Sequence, residues 1–212
     1  MSILSRTAST GIIAGVILMG AVGCNTTAED PGRVRYVDPY SNEGIVTVGG
    51  LDFHDWGIAA ERAISSLLGS GALVQNDRQS VVMISTVRNN TAEHVDTDLL
   101  TKKIRIAMLK SGQAIVTTAV REGGPEDAAS MKVRELRLSD EFNQDTVQEK
   151  GQLIAPSHSL SGKIIQVDSR AGNVRQSAFA FQLTLTDLRT GLAVWEDEVP
   201  IVKQGSRPGV GW

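Results

Sequence analysis

The chain has 212 residues, of which 21 are basic and 24 acidic, so its formal net charge is −3 at pH 7. This acidic excess argues against nucleic acid as a partner, because nucleic-acid-binding domains are usually basic. Hydrophobic residues make up 41% of the chain, enough for the core of one domain, and aromatic residues only 4%, so an aliphatic core is expected.

An apolar segment near the amino terminus predicts export. Arg6 precedes a short apolar run from Ile12 to Met19, as in a signal peptide, and the run is too short to span a bilayer. The only cysteine, Cys24, directly follows three small residues, which resembles the lipobox of bacterial lipoproteins. We therefore predict a lipoprotein signal peptide over residues 1–23 and an acylated Cys24. The alternative is a plain signal peptide with an incidental cysteine.

Acylation of Cys24 would hold the mature chain at a membrane surface. A lone cysteine in an exported protein cannot form an internal disulfide, so lipidation gives it a role. More than one acyl chain suffices for stable anchoring. Asn25 follows it, whereas retention at the inner membrane of enteric bacteria favours aspartate there, so the predicted location is the periplasmic face of the outer membrane. The mature chain keeps 20 basic and 24 acidic residues, a formal net charge of −4.

Composition divides the mature chain into three parts. Residues 24–44 contain two prolines and two glycines without a sustained apolar period, which predicts a flexible tether. Twenty such residues reach about 25 Å on average and about 70 Å when extended. The globular domain is predicted over residues 45–204, and a glycine-rich tail over 205–212.

Helical and extended patterns alternate in the first half of the domain. A short edge strand is predicted at 45–48, and a helix at 56–68 with Asp55 as its N-cap. The apolar run 81–84 predicts a central strand buried on both faces, followed by a loop at 88–91.

A second helix is predicted from a cap at Asp96 or Thr97 to Gly112. Its basic residues form either a patch facing a partner or a solvated face that complements the helix dipole: Lys102, Lys103, Arg105 and Lys110. A strand at 114–117 then implies a parallel crossover.

The chain from Gly124 to Pro156 is harder to assign. Pro125 with acidic neighbours predicts the start of a third helix that continues to Leu136. Residues 139–156 are polar and predict no regular element, apart from a short helix near 146–150.

The last third of the chain is extended. Residues 159–168 predict a strand, and the alternation of Phe179, Phe181, Leu183 and Leu185 with polar residues predicts another. After a turn at 187–191, a strand over 192–202 places Trp195, Asp197, Val199 and Ile201 on one face. The expected fold class is therefore α/β (α+β): a mixed sheet with a βαβ unit, flanking helices and a C-terminal antiparallel hairpin.

Two patterns could indicate catalysis or metal binding, but the spacing of their residues argues against both. Ser157-His158-Ser159 places a nucleophile beside a base, but neighbouring strand residues point to opposite faces, so no side-chain hydrogen bond is expected between them. His54, His94 and His158 lack the paired spacing of a zinc site. We expect no catalytic residue, metal, cofactor or small-molecule substrate.

Several of these segments together resemble one family, the outer-membrane lipoprotein activators of penicillin-binding proteins, or LpoB family. The resemblance spans about 150 residues behind the lipobox. It lies in these motifs: His54-Asp55-Trp56, residues 87–91, Leu109-Lys110-Ser111-Gly112, Ser159-Leu160-Ser161-Gly162, and the final hairpin with Phe181, Thr190-Gly191 and Trp195.

The resemblance implies a domain similar to the amino-terminal domain of TolB. It also implies a non-catalytic protein that binds a bifunctional peptidoglycan synthase, a class A penicillin-binding protein, and stimulates it. The enteric members have a much longer, proline-rich tether than residues 24–44 provide, which affects how far this domain reaches.

The sequence leaves three alternatives: an envelope scaffold, a lipoprotein related to the curli secretion channel, and a small periplasmic hydrolase. The channel alternative is disfavoured, because Asp197 on the apolar face of the last strand would place a carboxylate in the lipid band. Asn89, Asn90 and Trp195 are candidates for partner contact, with turn formation and core packing as their alternative roles.

Overall fold

Three helices and six strands are present in the part of the chain that the structure, a computed structural model, describes: residues 38, 47–75 and 78–206. These residues fall within one compact unit, 37–212. The predicted signal peptide, Cys24 and nearly all of the tether lie outside the described residues. In chain order the elements are α1 (Phe53–Gly69), β1 (Val74–Gln75), β2 (Arg78–Asn90), α2 (Thr97–Ser111), β3 (Ala114–Val116), α3 (Ala129–Lys132), β4 (His158–Ala171), β5 (Val174–Asp187) and β6 (Ala193–Ser206).

The strands form one mixed sheet in the order β1-β2-β4-β5-β6, with β3 also paired to β2. Strand β2 runs parallel to β3 and β4, while β4, β5 and β6 form an antiparallel meander. The parallel pairing of β2 with β3 around α2 confirms the predicted crossover, and the predicted fold class is confirmed with it.

The core lies between one face of the sheet and helices α1 and α2. Alternate residues of β5 point into it, and Phe179, Phe181 and Leu185 are nearly inaccessible to solvent, as their period-two pattern predicts. Trp56 of α1 meets Phe181 edge to face, with ring centroids 5.5 Å apart. Most other core residues are aliphatic, as expected from the low aromatic content.

Helix α1 begins three residues earlier than predicted, because its N-cap is Asp52 rather than Asp55. The Asp52 carboxylate accepts hydrogen bonds from the backbone N–H groups of His54 (2.9 Å) and Asp55 (3.1 Å). The Asp55 carboxylate accepts the Asp52 N–H in return at 2.8 Å. Two aspartates three residues apart thus form a reciprocal capping box, which the choice of a single cap residue overlooked.

Helix α2 has the predicted bounds. Its N-cap Asp96 accepts a hydrogen bond from Asp98 N–H at 3.0 Å, so Thr97 is its first residue. Gly112 closes the helix with φ of 70°, a left-handed conformation that glycine adopts without strain.

Four predicted boundaries in the chain need correction. Strand β2 continues through Asn89 and Asn90, which pair with β4, so residues 88–90 are not in a loop. Thr47 and Val48 are not in a strand, and residues 45 and 46 lie outside the described part. The short helix predicted near 146–150 is a 3-10 turn at Gln144–Thr146 instead. Strand β6 extends to Ser206, two residues into the segment assigned to the tail.

The predicted third helix is reduced to the four residues of α3 and a 3-10 turn at Glu135–Leu138. Gly123 and Gly124 have positive φ, so the chain turns before Pro125 and does not start a helix there. Neither α3 nor the turn buries a residue. Short helices without packed partners are marginal, which explains why the local pattern overestimated this one.

We call the connection between β3 and β4, residues 117–157, the arm. None of its residues is buried. Both of its ends hydrogen-bond to neighbouring residues of β2, Thr117 N–H to Val82 O at 3.0 Å and Ser157 N–H to Val81 O at 2.8 Å. The arm therefore leaves the sheet and returns to it beside the same strand.

Candidate functional site

The face of the sheet that points away from α1 and α2 is open and polar. Side chains alternate across a strand, so the residues between the buried ones lie on this side. We call it the open face, and its side chains come from β2, β4, β5 and β6: Thr86, Arg88, Ser161, Lys163, Gln182, Thr184, Glu196 and Glu198.

The open face forms a groove of about 780 Å³ with separated charges. Arg88 and Lys163 lie on β2 and β4, whereas Glu196 and Glu198 lie on β6. Gln182 Nε2 donates to Glu198 at 2.6 Å, and Thr184 Oγ1 donates to Glu196 at 3.1 Å. The groove therefore runs from a basic side to an acidic side whose carboxylates are held by the neighbouring strand.

Glu122, from the first part of the arm, also borders the groove. Its carboxylate accepts a hydrogen bond from Ser85 Oγ at 3.2 Å. Hydrogen bonds from Thr86 and Ser85 lower the pKa of Glu122, so its negative charge offsets part of the positive charge of Arg88 on that side of the groove.

Gly162 explains how β4 and β5 approach each other beneath the groove. A Cβ atom at this position would collide with the Gln182 carbonyl oxygen and would lie 2.6 Å from Leu183 Cδ2. Only glycine leaves room for this approach. The Ser161-Gly162 motif of the sequence thus shapes the floor of the groove.

The open face combines several kinds of polar group. Its lining residues supply hydrogen-bond donors, acceptors and charges of both signs, and they include neither histidine nor cysteine.

The prediction that Ser157 and His158 share no side-chain hydrogen bond is wrong. Ser157 Oγ lies 2.9 Å from His158 Nδ1, because Ser157 precedes β4 and is not subject to strand alternation. The same hydroxyl accepts from Val81 N–H at 3.2 Å and lies 3.1 Å from Val81 O. These contacts join the start of β4 to β2.

His158 itself is fully buried. Burial lowers its pKa, against the opposing effect of the nearby Asp187 charge, so the neutral ring is favoured. His54 and His94 are exposed on α1 and after β2. Among the described residues, no group of three or more histidine, cysteine, aspartate or glutamate side chains is arranged to hold a metal ion.

The candidates for partner contact are not brought together. Asn89 Oδ1 accepts from Thr91 N–H at 3.1 Å and its Nδ2 donates to Glu93 O at 2.8 Å, so it shapes the turn after β2. Trp195 is 8% exposed and its indole N–H donates to Ser66 Oγ at 3.3 Å, as a core residue would. Followed across the paired strands, Asn89 lies level with Val199 of β6, which is four residues from Trp195. Asn90 is exposed at the end of β2.

Two buried ion clusters were not anticipated from the sequence. Lys203 Nζ lies 2.8 Å from Asp52 Oδ2, 2.5 Å from Asp55 Oδ2 and 2.9 Å from Gly50 O. Lys203 continues the buried parity of Trp195 to Ile201 along β6, which was the available signal for a buried lysine.

The second cluster joins α2 to the arm. The buried Arg105 guanidinium pairs with both carboxylate oxygens of Glu126. Arg105 is therefore not part of a solvated basic face, whereas Lys102 and Lys110 are exposed and Lys103 Nζ lies 3.8 Å from the Phe53 ring centroid.

The described helices include none long and apolar enough to cross a membrane.

Comparison with known proteins identifies the family. The family model described as "Peptidoglycan-synthase activator LpoB" matches residues 55–201, more than half of the chain. No curated protein sequence matches the chain significantly.

Similar solved structures have low sequence identity. The LpoB C-terminal domain from Salmonella enterica is 16% identical at a TM-score of 0.43, covering 69% of this chain and 98% of that one. The LpoB C-terminal domain from Escherichia coli is 17% identical at a TM-score of 0.41, and the match covers 69% of this chain and 98% of that one. The NMR structure of E. coli LpoB is 14% identical at a TM-score of 0.39, and the match covers 97% of this chain and 94% of that one. On the strength of the family match, the chain belongs to the LpoB family of peptidoglycan-synthase activators.

Proposed function

We propose that this protein is a non-catalytic, lipid-anchored activator that binds the periplasmic part of a class A penicillin-binding protein. The observation that carries the proposal is the family match over residues 55–201. Binding would raise the rate at which the synthase polymerises glycan strands, with cross-linking following.

The structure supports a binding role in physical terms. The open face offers charges of both signs and hydrogen-bonding groups along four strands of the sheet. A ligand activates an enzyme only by binding its active conformation more tightly than its resting one. The activation should therefore saturate with concentration, at a level set by that difference in affinity.

The direct test combines binding and turnover. Full-length protein, purified in detergent, is added to a class A synthase from the same cells, and glycan polymerisation is followed with a lipid-linked substrate. We expect saturable binding and a saturable increase in rate. Serum albumin added to the synthase in place of this protein serves as the control and should leave the polymerisation rate unchanged.

Two outcomes would contradict the proposal. Absence of binding, or binding without any rate change, would favour the envelope scaffold. Release of soluble muropeptides from peptidoglycan by the protein alone would favour the hydrolase.

The proposed anchor is Cys24, with the outer membrane as the location. It is supported by the apolar segment before the cysteine and by the small residues that precede it. We expect Cys24→Ala to abolish labelling with a palmitate analogue and to leave the protein unprocessed or released from the outer membrane. Equal labelling of both proteins would refute lipidation. Urea denaturation of the two should agree, because Cys24 precedes the described domain.

A further inference from the structure

We propose that the arm docks on the synthase, with Leu138 and Phe142 entering an apolar pocket that has a basic rim. This inference rests on the proposed function and assigns part of its contact surface. It depends on four features of the arm: its exposed apolar side chains, its internal hydrogen bonds, its fixed base and its charge.

The arm exposes large apolar side chains. Leu138 is 92% exposed, Ile154 69% and Phe142 48%. Single exposed apolar residues are common on soluble proteins and need no explanation. What distinguishes Leu138 and Phe142 is that the backbone around both is organised by specific hydrogen bonds.

Residues 134–149 are held together by two polar side chains. The Arg137 guanidinium donates from Nε to Gln148 O at 2.6 Å and from a terminal nitrogen to Glu149 O at 2.7 Å. Gln144 Nε2 donates to Ser139 O at 2.8 Å and to Phe142 O at 3.1 Å. These bonds fold the segment back on itself with Leu138 and Phe142 outside. An arm ordered before binding loses less conformational entropy when it docks.

The base of the arm is fixed to α2. Arg105 pairs with Glu126, and Arg121 lies 2.9 Å from Asp98 Oδ1. Since Arg105 is buried, the first of these pairs resists separation. The base therefore sets the direction from which the outer part of the arm can approach a partner.

The segment that carries the apolar pair is acidic. Residues 138–149 include Asp140, Glu141, Asp145 and Glu149 and no lysine or arginine. Arg137 and Lys150 flank this segment, and the Arg137 guanidinium is turned to the carbonyl oxygens of Gln148 and Glu149. Charges at the rim of an interface set the partner and speed the encounter. The complementary surface is an apolar pocket surrounded by lysine or arginine.

Charge also distinguishes between the possible binding partners of the arm. An anionic membrane surface would repel this acidic rim, because such surfaces attract basic segments. A second copy of the mature chain carries a net charge of −4 itself and offers poorer complementarity than a basic partner. A basic, apolar surface on the synthase is the occupant that remains.

The test measures binding of three full-length proteins to the immobilised periplasmic part of the synthase. Leu138→Ser/Phe142→Ser removes the proposed anchors. The matched control is Leu109→Ser/Leu192→Ser, which changes two exposed apolar residues outside both the arm and the open face. We expect the arm variant to bind at least about tenfold more weakly. The control should stay within about twofold of wild type, and urea denaturation should show that both variants are folded.

A third variant tests the rim. Asp140→Asn/Glu141→Gln should slow association and flatten its dependence on salt. An unchanged rate and salt dependence would overturn the charge argument.

The outcomes separate this inference from the proposed function. If wild type does not bind the synthase, the proposed function fails and the inference fails with it. If wild type binds and the arm variant binds equally well, only the inference fails. Equal weakening of both double variants would indicate non-specific apolar contact, and dimerisation of wild type that only the arm variant loses would assign the arm to a second copy. Either result overturns the proposal.

Discussion

Replacing Lys203 by alanine should lower the free energy of unfolding by about 3–5 kcal/mol, the cost of leaving a buried charge without its partner. The Lys203 side chain is 6% exposed and that of Asp55 is 7% exposed. Asp52 is more accessible, so water screens part of its charge, and most of the loss should come from Asp55. Urea denaturation followed by circular dichroism measures the change.

Two variants isolate the charge from the packing. Lys203→Met keeps most of the side-chain volume but still leaves the carboxylates unpaired, so it should destabilise nearly as much as alanine. Lys163→Ala removes an exposed lysine from β4 and should stay within about 0.5 kcal/mol of wild type. Wild-type stability in Lys203→Met would show that the ion cluster contributes little.

The same cluster predicts how stability depends on pH. Burial opposes ionisation of Asp52, but hydrogen bonds from Lys203 and the helix backbone outweigh it and lower the pKa below 3.8. This contribution is complete above the unfolded pKa and is lost as the pH falls through the folded pKa. The stability difference between wild type and Lys203→Ala should therefore shrink in acid, below about pH 4.

At alkaline pH the titration of Lys203 determines how the stabilisation by the cluster changes. Burial disfavours its charge, but the bonds and charges of Asp52 and Asp55 outweigh this and raise the pKa of Lys203 above 10.5. The stabilisation is complete below the unfolded pKa and disappears as the pH rises through the folded one. The difference between the two proteins should be nearly constant from about pH 6 to 9.

The sequence predicted those elements whose signals are both local and supported by packing. Helix α2 has its cap at Asp96 and its stop at Gly112, and β5 alternates because one face lies on the core. The family resemblance was confirmed by the match over residues 55–201.

The failures have a common physical cause, since each depended on contacts distant in the chain or on an element boundary. Residues 124–136 carry a helical pattern, but none of them is buried. Ser157 and His158 meet because Ser157 lies just before β4, outside the alternation of the strand. Lys203 finds Asp52 across the whole domain, a contact that no local spacing reveals. The outer part of the arm has no periodic pattern to assign, because its order comes from the side-chain hydrogen bonds of Arg137 and Gln144.

The second large effect is expected for Phe181, which joins α1 to the centre of the sheet. Its ring is 1% exposed, packs edge to face on Trp56, and sits on β5 between Ile164 of β4 and Val199 of β6. Phe181→Ala should cost about 3–5 kcal/mol through lost burial and the cavity left behind. The near-ultraviolet circular dichroism of Trp56 should weaken as well, because its aromatic neighbour is gone.

Gln182→Ala is the matched control for Phe181→Ala. Gln182 is the next residue on β5, but it points to the open face and bonds Glu198 near solvent, so its loss should cost about 1 kcal/mol or less. Comparable losses for the two variants would mean that the face of the sheet packed on α1 is no more important to stability than the open face. A large loss for Phe181→Ala alone would show that the domain is stabilised mainly on the helix side. Residues of the open face could then be substituted to suit a different partner at little cost in stability.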